Sequence, residues 1–460
     1  MVEETDFLVI GGGPAGYVAA IRGAQLGAKV TLVEKGDIGG VCLNRGCIPT
    51  KALLAVAELY HQLGNLPSFG LQVEGIQLDW KGVLGRKNQV VKRLVGGVKH
   101  LLRAHKVRTI EGEARFLGSQ TIEVEGKGRF KAEKVLVATG SSPIQLPIEG
   151  LEGSGVLDSD SALSLEEIPK RLLIIGGGGI GVEFAFIYGF FGCKVILVEL
   201  MDHILPAEDE ELCLQLERVL GRKGVEVYTE SQVKEVSFQN GSYSALLQTP
   251  QGEVKVHSER ILSAVGRRPY FTGLGLEAIG VNVDDGAIVV NELLQTNVPY
   301  IYAAGDVIGG YLLAYVASME GEIAAENALG GSLRVDYRSV PRCVFSQPEL
   351  ASVGLTAKGA TELGYEVSIG RFPFAANGRA LAEGDVEGWV KVVMEKRTEE
   401  ILGIHILGPR ATDLIAEAAL ALQMGAKGSD FVKTFHPHPT LSEPLREASL
   451  AALGRPLHIL

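Results

Sequence analysis

Two cysteines separated by four residues carry the most specific chemistry in this sequence. Cys42 and Cys47 lie in the segment VCLNRGCIPTK. In a regular α-helix the Cα atoms of residues five apart are roughly 8–9 Å apart, which exceeds the reach of a disulfide. A bridge therefore requires a distorted segment. Gly46 relaxes the backbone before the second cysteine, and Pro49 suits the first turn of a helix.

We expect this pair to form a redox-active disulfide at the N-terminal end of a helix, where the helix dipole favours a thiolate. The alternative is a pair of buried free cysteines, a common environment for this residue type. The five cysteines are too sparse for a secreted disulfide framework. A reducing, cytoplasmic location is favoured, where a disulfide is usually catalytic or redox-sensing.

Two glycine-rich units of the same design accompany the cysteine pair. FLVIGGGPAGYVAAIRGAQLGAKVTLVEK and RLLIIGGGGIGVEFAFIYGFFGCKVILVE each read as strand, glycine turn, helix and a second strand that ends in an acid. Glu34 follows Gly11 at the same distance along the chain as Glu199 follows Gly176. This order is the dinucleotide-binding fingerprint. The sequence therefore predicts two bound dinucleotides, rather than a chance match or a purely structural glycine turn.

Each residue type in such a unit has its own task. The first glycine permits a tight turn, the second lets the backbone approach a pyrophosphate, the third allows close helix packing, and the acid accepts hydrogen bonds from ribose hydroxyls. These residues are Gly11, Gly13, Gly16 and Glu34 in the first unit, and Gly176, Gly178, Gly181 and Glu199 in the second. No lysine or arginine occurs at positions 200–202 to hold a 2′-phosphate, which favours NAD over NADP.

Composition is typical of a large enzyme. A chain of 460 residues exceeds one hydrophobic core, so three or four domains are expected. The net charge of −11 argues against nucleic acid as a partner and leaves room for a basic protein. Residues 172–192 contain one charge, Glu183, and nearly reach the length of a membrane span. Their run of glycines followed by a glutamate makes a poor spanning helix, and we expect no membrane association.

The order of elements predicts how the domains are arranged. KVLVATGSSP closes the first unit, RILSAVGRRP closes the second, and YIYAAGDV is a further buried strand that ends at Asp306. We therefore expect an α/β fold with two Rossmann-like dinucleotide-binding domains, the second inserted in the first. The alternating strands and amphipathic helix after residue 336 predict a C-terminal α+β dimerisation domain. The expected boundaries are 1–147, 148–267, 268–335 and 336–460.

The segment HPHPTLSE contains a candidate general base. His438 could carry a proton near neutral pH, and Glu443 could fix its tautomer. Pro437 and Pro439 indicate an extended loop rather than a helix. Taken alone, such a histidine is more often structural. A redox disulfide that accepts electrons from a thiol makes the catalytic interpretation stronger, because the incoming thiol must be deprotonated.

Together these motifs resemble the flavin-dependent disulfide reductases, the class I pyridine nucleotide-disulfide oxidoreductases. The resemblance runs nearly end to end, through GVCLNRGCIPTK, AAGD, QPELASVGLT and HPHPTLSE, and is greatest to the dihydrolipoyl dehydrogenases. It implies FAD in the first unit, NAD in the second and a homodimer with a shared active site. His438 and Glu443 would serve the disulfide of the other subunit.

The resemblance also implies individual roles. Cys42 would exchange with substrate and Cys47 would lie against the flavin, while Lys51 would sit near the flavin N5 and pair with Glu183. Electrons would pass from a dihydrolipoyl group through the disulfide and FAD to NAD. The implied FAD residues are Gly11, Gly13, Ala15, Gly16, Glu34, Lys51, Ala114, Thr139, Gly140, Ser141, Asp306 and Ala314. The implied NAD residues are Gly176, Gly178, Ile180, Gly181, Glu183, Glu199, Val233 and Gly266. No metal site is predicted.

Three positions depart from the family pattern. Pro437 adjoins the candidate base and makes it less certain which of His436 and His438 has that role. Tyr315 stands where the family commonly has a histidine. Gly179 occupies a position where relatives often have a bulkier residue near the nicotinamide. The last cysteine is Cys343, so the C-terminal pair of mercuric reductases and large thioredoxin reductases is missing from this sequence.

Three functional hypotheses follow. The first is an NAD-dependent dihydrolipoyl dehydrogenase that serves 2-oxo acid dehydrogenase or glycine-cleavage complexes, with a lipoyl domain as substrate and a peripheral subunit-binding domain as a partner. The second is an NADH-dependent reductase of another small disulfide. The third is a non-catalytic flavoprotein that serves as an assembly component.

Overall fold

The computed structural model describes residues 2–151 and 155–460. The first unit is a sheet covered by helices, and the C-terminal part of its first strand, Phe7–Ile10, is buried, as expected where both faces of a parallel sheet are covered. Its strands are β1 (Val2–Ile10), β2 (Val30–Glu34), β3 (Arg108–Glu111), β4 (Ala114–Gly118), β5 (Thr121–Val124), β6 (Gly128–Val137) and β7 (Ser141–Pro143). Its helices are α1 (Pro14–Gln25), α2 (Gly40–Arg45), α3 (Cys47–Leu63) and α4 (Trp80–Ala104).

The second unit repeats this design. Its parallel sheet has the order β11-β10-β9-β15-β8, and a separate antiparallel sheet, β12-β13-β14, packs beside it. The strands are β8 (Val156–Leu157), β9 (Arg171–Ile175), β10 (Lys194–Val198), β11 (Glu226–Tyr228), β12 (Gln232–Gln239), β13 (Ser242–Thr249), β14 (Gly252–Ser258) and β15 (Arg260–Ser263). The helices are α5 (Ser159–Ala162), α6 (Gly179–Phe190) and α7 (Glu210–Arg222).

The chain then returns to the first unit. This segment contains β16 (Arg267–Pro269), β17 (Val283–Asp284), β18 (Ala287–Ile288), β19 (Ile301–Ala303) and α8 (Ala314–Ala328). Strand β16 pairs with β7, where the chain leaves the first unit, and β19 joins the first sheet beside β6 in parallel. The parallel part of that sheet has the order β3-β2-β1-β6-β19. The predicted insertion of the second dinucleotide-binding unit in the first is therefore confirmed.

The C-terminal domain is a five-stranded antiparallel sheet packed against helices, as predicted. Its strand order is β20-β21-β24-β23-β22. The strands are β20 (Arg342–Val344), β21 (Glu349–Gly354), β22 (Val367–Pro373), β23 (Trp389–Glu395) and β24 (Ile401–Gly408). The helices are α9 (Ala357–Glu362), α10 (Gly378–Glu383), α11 (Ala411–Gln423), α12 (Gly428–Lys433) and α13 (Glu443–Ala452). Short 3₁₀ helices occur at Leu66–Phe69, Glu277–Ile279, Asp306–Ile308 and Phe374–Ala376.

Two of the strands that lead to predicted site residues end earlier than the sequence suggested. Strand β15 stops at Ser263 and β19 at Ala303, short of Gly266 and Asp306. Gly266 and Gly305 adopt φ values of +109° and +78°, which L side chains rarely adopt, so the chain turns there. The predicted residues therefore lie in turns at the carboxyl edge of the sheets.

The apolar helix of the second unit does not resemble a membrane span. Helix α6 contains 12 residues and packs inside the domain. Within residues 2–151 and 155–460, no helix combines the length and apolar composition that crossing a membrane requires.

A buried ion pair joins the second unit to the C-terminal sheet. The Lys391 Nζ lies 2.7 and 3.0 Å from the two carboxylate oxygens of Asp209. Both side chains are almost completely buried, with exposed fractions of 3% and 5%. A buried charge is tolerated only when it is paired, so this contact constrains how the two domains pack.

We predict that Lys391→Met destabilises the protein by about 3–5 kcal/mol, because Asp209 would remain buried without its cation. The matched control is Arg397→Met, which removes an exposed ion pair with Glu366 and should cost about 1 kcal/mol or less. Urea unfolding midpoints of the two variants test this difference. Equal midpoints would contradict the assignment of a structural role to the buried pair.

Candidate functional site

The two glycine turns have the same backbone geometry. Gly11 and Gly176 adopt φ values of +107° and +104°. A Cβ at Gly11 would strike the carbonyl oxygen of Ala138, and one at Gly176 would lie 2.6 Å from that of Ala264. Glycine is required at both positions, because a side chain would be strained in φ and would also meet backbone atoms.

The third glycine of each unit lets the helix pack on the turn. A Cβ at Gly16 would collide with the carbonyl oxygen of Gly11, and one at Gly181 with that of Gly176. Helices α1 and α6 begin after Gly13 and Gly178, which are in extended conformations and provide no side-chain cap. The N–H groups of both first turns are therefore available for an anion such as a pyrophosphate.

The acid that ends each unit also braces its turn. Glu34 accepts hydrogen bonds from the N–H groups of Gly12 at 2.6 Å and Gly36 at 2.7 Å. Glu199 accepts the equivalent bonds in the second unit at 2.6 and 2.9 Å. Carboxylate oxygens have further lone pairs, so both acids can also accept hydrogen bonds from ribose hydroxyls.

One cavity of about 730 Å³ collects most of the predicted FAD residues. Those that line it are Gly11, Gly13, Ala15, Glu34, Lys51, Ala114, Thr139, Gly140, Ser141, Asp306 and Ala314. Gly16 does not line it, because it packs α1 on the turn. The cavity thus has the glycine cradle, the uncapped helix N-terminus and the acids that FAD requires.

The predicted NAD residues divide into two groups. Ile180 and Glu183 line the cavity and bring the second unit to its wall. The others lie outside its lining: Gly176, Gly178, Gly181, Glu199, Val233 and Gly266. Val233 is buried in the core between the two sheets of the second unit. The uncapped N-terminus of α6 and the braced turn fit a second dinucleotide beside the first.

Asp306 is oriented by a hydrogen-bond chain that was not predicted in full. The Ser141 hydroxyl donates to Asp306 Oδ2 at 2.5 Å, and the Arg267 Nε donates to the same hydroxyl oxygen at 2.9 Å. Because Ser141 accepts from Arg267, its single hydrogen is free to point to Asp306. Arg267 was missed as a site residue, although GRRP follows the predicted closing strand and Gly266 was assigned.

The cysteine pair lies where two helices meet. Cys42 is within α2, Cys47 begins α3, and Gly46 separates them with φ −145° and ψ −112°. This non-helical residue is the predicted distortion, and both cysteines line the cavity. The two sulfurs are present as free thiols in this structure.

The two thiols are not equivalent. A hydrogen bond between them lowers the pKa of Cys47 to about 7, with burial opposing the shift and the Lys51 ammonium adding to it. The same hydrogen bond raises the pKa of Cys42, and burial raises it further. The first thiolate of the reduced pair therefore forms on Cys47, the sulfur predicted to lie against the flavin.

Lys51 and Glu183 are in direct contact across two units. The Lys51 Nζ lies 2.9 and 2.8 Å from the carboxylate oxygens of Glu183 and 4.3 Å from the centre of the Phe345 ring. Glu183 is buried, with an exposed fraction of 6%. It also accepts a hydrogen bond from the Phe345 N–H at 3.1 Å. This second partner of Glu183, from the C-terminal domain, was not predicted.

His438 and Glu443 form the predicted pair. The His438 Nδ1 lies 2.9 Å from Glu443 Oε1, and Glu443 Oε2 accepts from the Thr440 N–H at 2.9 Å. Burial acts to raise the pKa of Glu443, but hydrogen bonds from Thr440 and His438 hold it below its ordinary value. The ring is 78% exposed and is not part of the cavity wall in its own chain.

The geometry separates His438 from its neighbour His436. Both ring nitrogens of His436 have partners, Glu417 Oε1 at 3.0 Å and the Thr434 carbonyl at 3.2 Å. In His438 the contact with Glu443 uses Nδ1, which leaves Nε2 to face a substrate. This arrangement supports the choice of His438 as the base.

Of the two other departures from the family pattern, Gly179 lines the cavity and Tyr315 does not. The Tyr315 hydroxyl donates to the carbonyl of Pro341, which holds the ring at the boundary of the C-terminal domain. Gly179 begins α6 and lines the cavity, and an added Cβ would meet only Val344 at 3.7 Å. Because Gly179 has no side chain, the part of the cavity wall that the second unit contributes is not narrowed at this position.

We predict that alkylation of the reduced Cys42/Cys47 peptide by iodoacetamide rises with pH through about 7. Cys193 and Cys343, whose pKa burial raises to about 12, should stay unlabelled at that pH. Lys51→Met should move the midpoint upward by about one pH unit, because the thiolate loses its nearby cation. Peptide mass spectrometry across a pH series measures both midpoints. A wild-type midpoint near the ordinary thiol pKa would contradict this account.

Two family models cover most of the chain. Residues 5–321 match the model described as "Pyridine nucleotide-disulphide oxidoreductase", and residues 340–449 match its dimerisation domain. The second match supports the predicted homodimer.

Curated relatives align over all or nearly all of their length. The chain is 48% identical to dihydrolipoyl dehydrogenase of Thermus scotoductus and 44% identical to that of Bacillus subtilis, each alignment covering 100% of both chains. It is 40% identical to the mitochondrial dihydrolipoyl dehydrogenase of Pisum sativum, over 99% of this chain and 93% of the relative.

Solved structures share the whole fold. LpdA from Mycobacterium tuberculosis has a TM-score of 0.89 at 29% identity, and the flavoprotein disulfide reductase RclA from Escherichia coli has a TM-score of 0.87 at 30% identity. Each comparison covers 96% of this chain and 99% of the other. The predicted fold class is confirmed, and the predicted cofactors, FAD and NAD, are those of this family. The chain belongs to the pyridine nucleotide-disulphide oxidoreductase family.

Proposed function

We propose that this chain oxidises dihydrolipoyl groups to lipoyl groups, the activity that its relatives' name states, and passes the electrons to NAD. The observation that carries this proposal is the position of Cys42 and Cys47. They lie in one cavity with the first glycine turn, while Ile180 and Glu183 bring the second unit to the same wall. A thiol pair in this place can exchange with a dithiol on one side and with a flavin on the other.

The substrate step is a thiol–disulfide exchange. One substrate thiol loses its proton to the base, and its thiolate attacks the Cys42 sulfur of the oxidised pair. The Cys42–Cys47 bond breaks, a mixed disulfide forms on Cys42, and Cys47 leaves as a thiolate. The second substrate thiol then attacks the substrate sulfur of the mixed disulfide, and its proton passes to the sulfur of Cys42. Cys42 is released as a thiol, and the product is a lipoyl disulfide.

The residues around the pair fit this division of labour. Cys47 is suited to leave as a thiolate, because the Lys51 ammonium favours its charged form and acts to lower its pKa. Lys51 is held beside the thiols by Glu183 and stabilises the departing charge. When bound, FAD accepts the electron pair from the reduced thiols, and NAD is the final acceptor. Glu34 and Asp306 would hold FAD, and Glu199 would hold the ribose of NAD.

We also propose that two subunits complete each site. His438 is exposed and does not line the cavity of its own chain, so the partner subunit's His438 would serve the thiols. Apolar side chains are exposed on the same domain, including Phe435 at 100% and Met424 at 75%. Such exposure of large apolar groups marks an interaction surface, and a second copy of the chain would cover it.

We also propose domain boundaries, partners and a location for this protein. The domain boundaries at 147, 267 and 335 are proposed as limits of the FAD-binding, NAD-binding, central and interface domains. The proposed partners are the lipoyl domain of an acyltransferase or glycine-cleavage carrier protein and a peripheral subunit-binding domain. The proposed location is the cytoplasm, because its reducing conditions keep cysteines such as Cys193, Cys213 and Cys343 as free thiols.

The direct test follows NAD reduction at 340 nm with dihydrolipoamide as the electron donor. The wild-type holoenzyme should form NADH, Cys47→Ser should lose activity by at least about a thousandfold, and NADP should be a poor acceptor. If dihydrolipoamide is inert while NADH reduces the flavin and another small disulfide is consumed, the protein is a reductase of that disulfide. No turnover with any disulfide would favour the assembly component.

A subunit-mixing experiment tests the shared site. Cys47→Ser and His438→Ala chains should each be nearly inactive alone. The two chains are then co-expressed, or unfolded and refolded together, so that half of the dimers should contain one chain of each kind. Each mixed dimer has one intact site out of two, so the mixture should have about a quarter of wild-type activity. Recovery is expected only if each site draws residues from both chains. Inactive mixtures with proven mixed dimers would contradict the shared site.

A further inference from the structure

A buried carboxylate lies behind the turn that presents Asp306. Glu320, on α8, has an exposed fraction of 4%. Its Oε2 accepts a hydrogen bond from the Gly305 N–H at 2.7 Å, and its Oε1 accepts one from the Tyr337 hydroxyl at 2.8 Å. Neither Glu320 nor Tyr337 belongs to the cavity lining.

The turn at Gly305 depends on close packing. Gly305 has φ +78° and ψ −161°, and an added Cβ would lie 3.1 Å from the Ala15 Cβ. A Cβ at Gly321 would collide with the Ala15 carbonyl, so α8 packs directly on α1. Glu320 therefore lies on a helix that is in direct backbone contact with the first glycine unit. Its carboxylate holds the backbone immediately before Asp306.

Burial of a carboxylate is unfavourable in free energy, so the buried Glu320 needs hydrogen bonds that offset its lost hydration. Burial raises the pKa of Glu320 and the nearby Asp306 adds to that shift, whereas hydrogen bonds from Tyr337 and Gly305 oppose it. Tyr337 comes from the segment that leads into the C-terminal domain, and its ring stacks on Tyr311 with centroids 5.8 Å apart. The carboxylate thus connects the start of that domain to the turn.

We propose that Glu320 is a positioning residue for FAD. By holding the Gly305 N–H, it fixes the turn that aims the Asp306 carboxylate into the cavity. Tyr337 in turn holds the other oxygen of Glu320, so the beginning of the C-terminal domain supports the FAD site. This inference rests on the proposed role of Asp306 as an FAD ligand.

The test is FAD binding to the apoprotein, measured by flavin fluorescence during reconstitution. Glu320→Leu should weaken binding about ten- to a hundredfold, because the Gly305 N–H loses its charged acceptor. Glu320→Gln should bind within about threefold of wild type, since its amide oxygen still accepts from Gly305 and its NH₂ can donate to Tyr337. The matched control is Glu322→Leu, an exposed residue on the same helix, which should bind normally.

Circular dichroism of each apoprotein establishes that the fold is kept. A folded Glu320→Leu protein that binds FAD like wild type would overturn the proposal. If that variant does not fold, Tyr337→Phe decides the question. It should weaken FAD binding about three- to tenfold, and unchanged binding would equally overturn the proposal.

Asp306→Ala separates this inference from the site on which it rests. If Asp306→Ala binds FAD normally, the proposed FAD ligand is wrong, whatever Glu320 does. If Asp306→Ala weakens binding while Glu320→Leu and Tyr337→Phe do not, the ligand is correct and only the positioning role fails.

Discussion

The carboxylate of Glu183 is the contact on which the arrangement of the site depends. Glu183 is buried in the first half of helix α6 of the second unit. Its carboxylate forms an ion pair with Lys51 of the first unit and accepts a hydrogen bond from the Phe345 N–H of the C-terminal domain. A buried carboxylate that loses its cation is strongly destabilising, so the three units are constrained to meet at one point. That point lies in the wall of the cavity that contains the cysteine pair.

The same ion pair also explains how the thiols are differentiated. Lys51 is four residues after Cys47 in α3, so both side chains lie on one face of the helix. Glu183 keeps the ammonium in place and partly offsets its charge, acting to raise the pKa of Cys47 while Lys51 acts to lower it. The chain therefore holds Cys47 near the point where it is both a stable thiolate and a reactive nucleophile at neutral pH.

Much of this structure could be predicted, because local patterns encode it. The spacing of glycines and acids predicted both dinucleotide units, since the turn, the helix start and the strand end all lie within one segment. Contacts between distant segments could not be read in the same way. Phe345 is 162 positions from Glu183, and Arg267 reaches Ser141 only through the pairing of β7 with β16. Glu320 bonds Gly305 and Tyr337, which are 15 and 17 positions away in irregular segments on either side of α8. The Lys51 pairing was predicted only through the family resemblance.

The most direct test of the central claim is the reduction potential of the Cys42–Cys47 couple in Lys51→Met and Glu183→Gln holoenzymes. Equilibration in thiol redox buffers, followed by alkylation and mass spectrometry, measures it. The account predicts shifts of opposite sign. Loss of Lys51 destabilises the Cys47 thiolate and lowers the potential, whereas loss of the Glu183 charge stabilises the thiolate and raises it, each by about 20–30 mV. Shifts of the same sign, or none, would show that the pair does not tune the thiols.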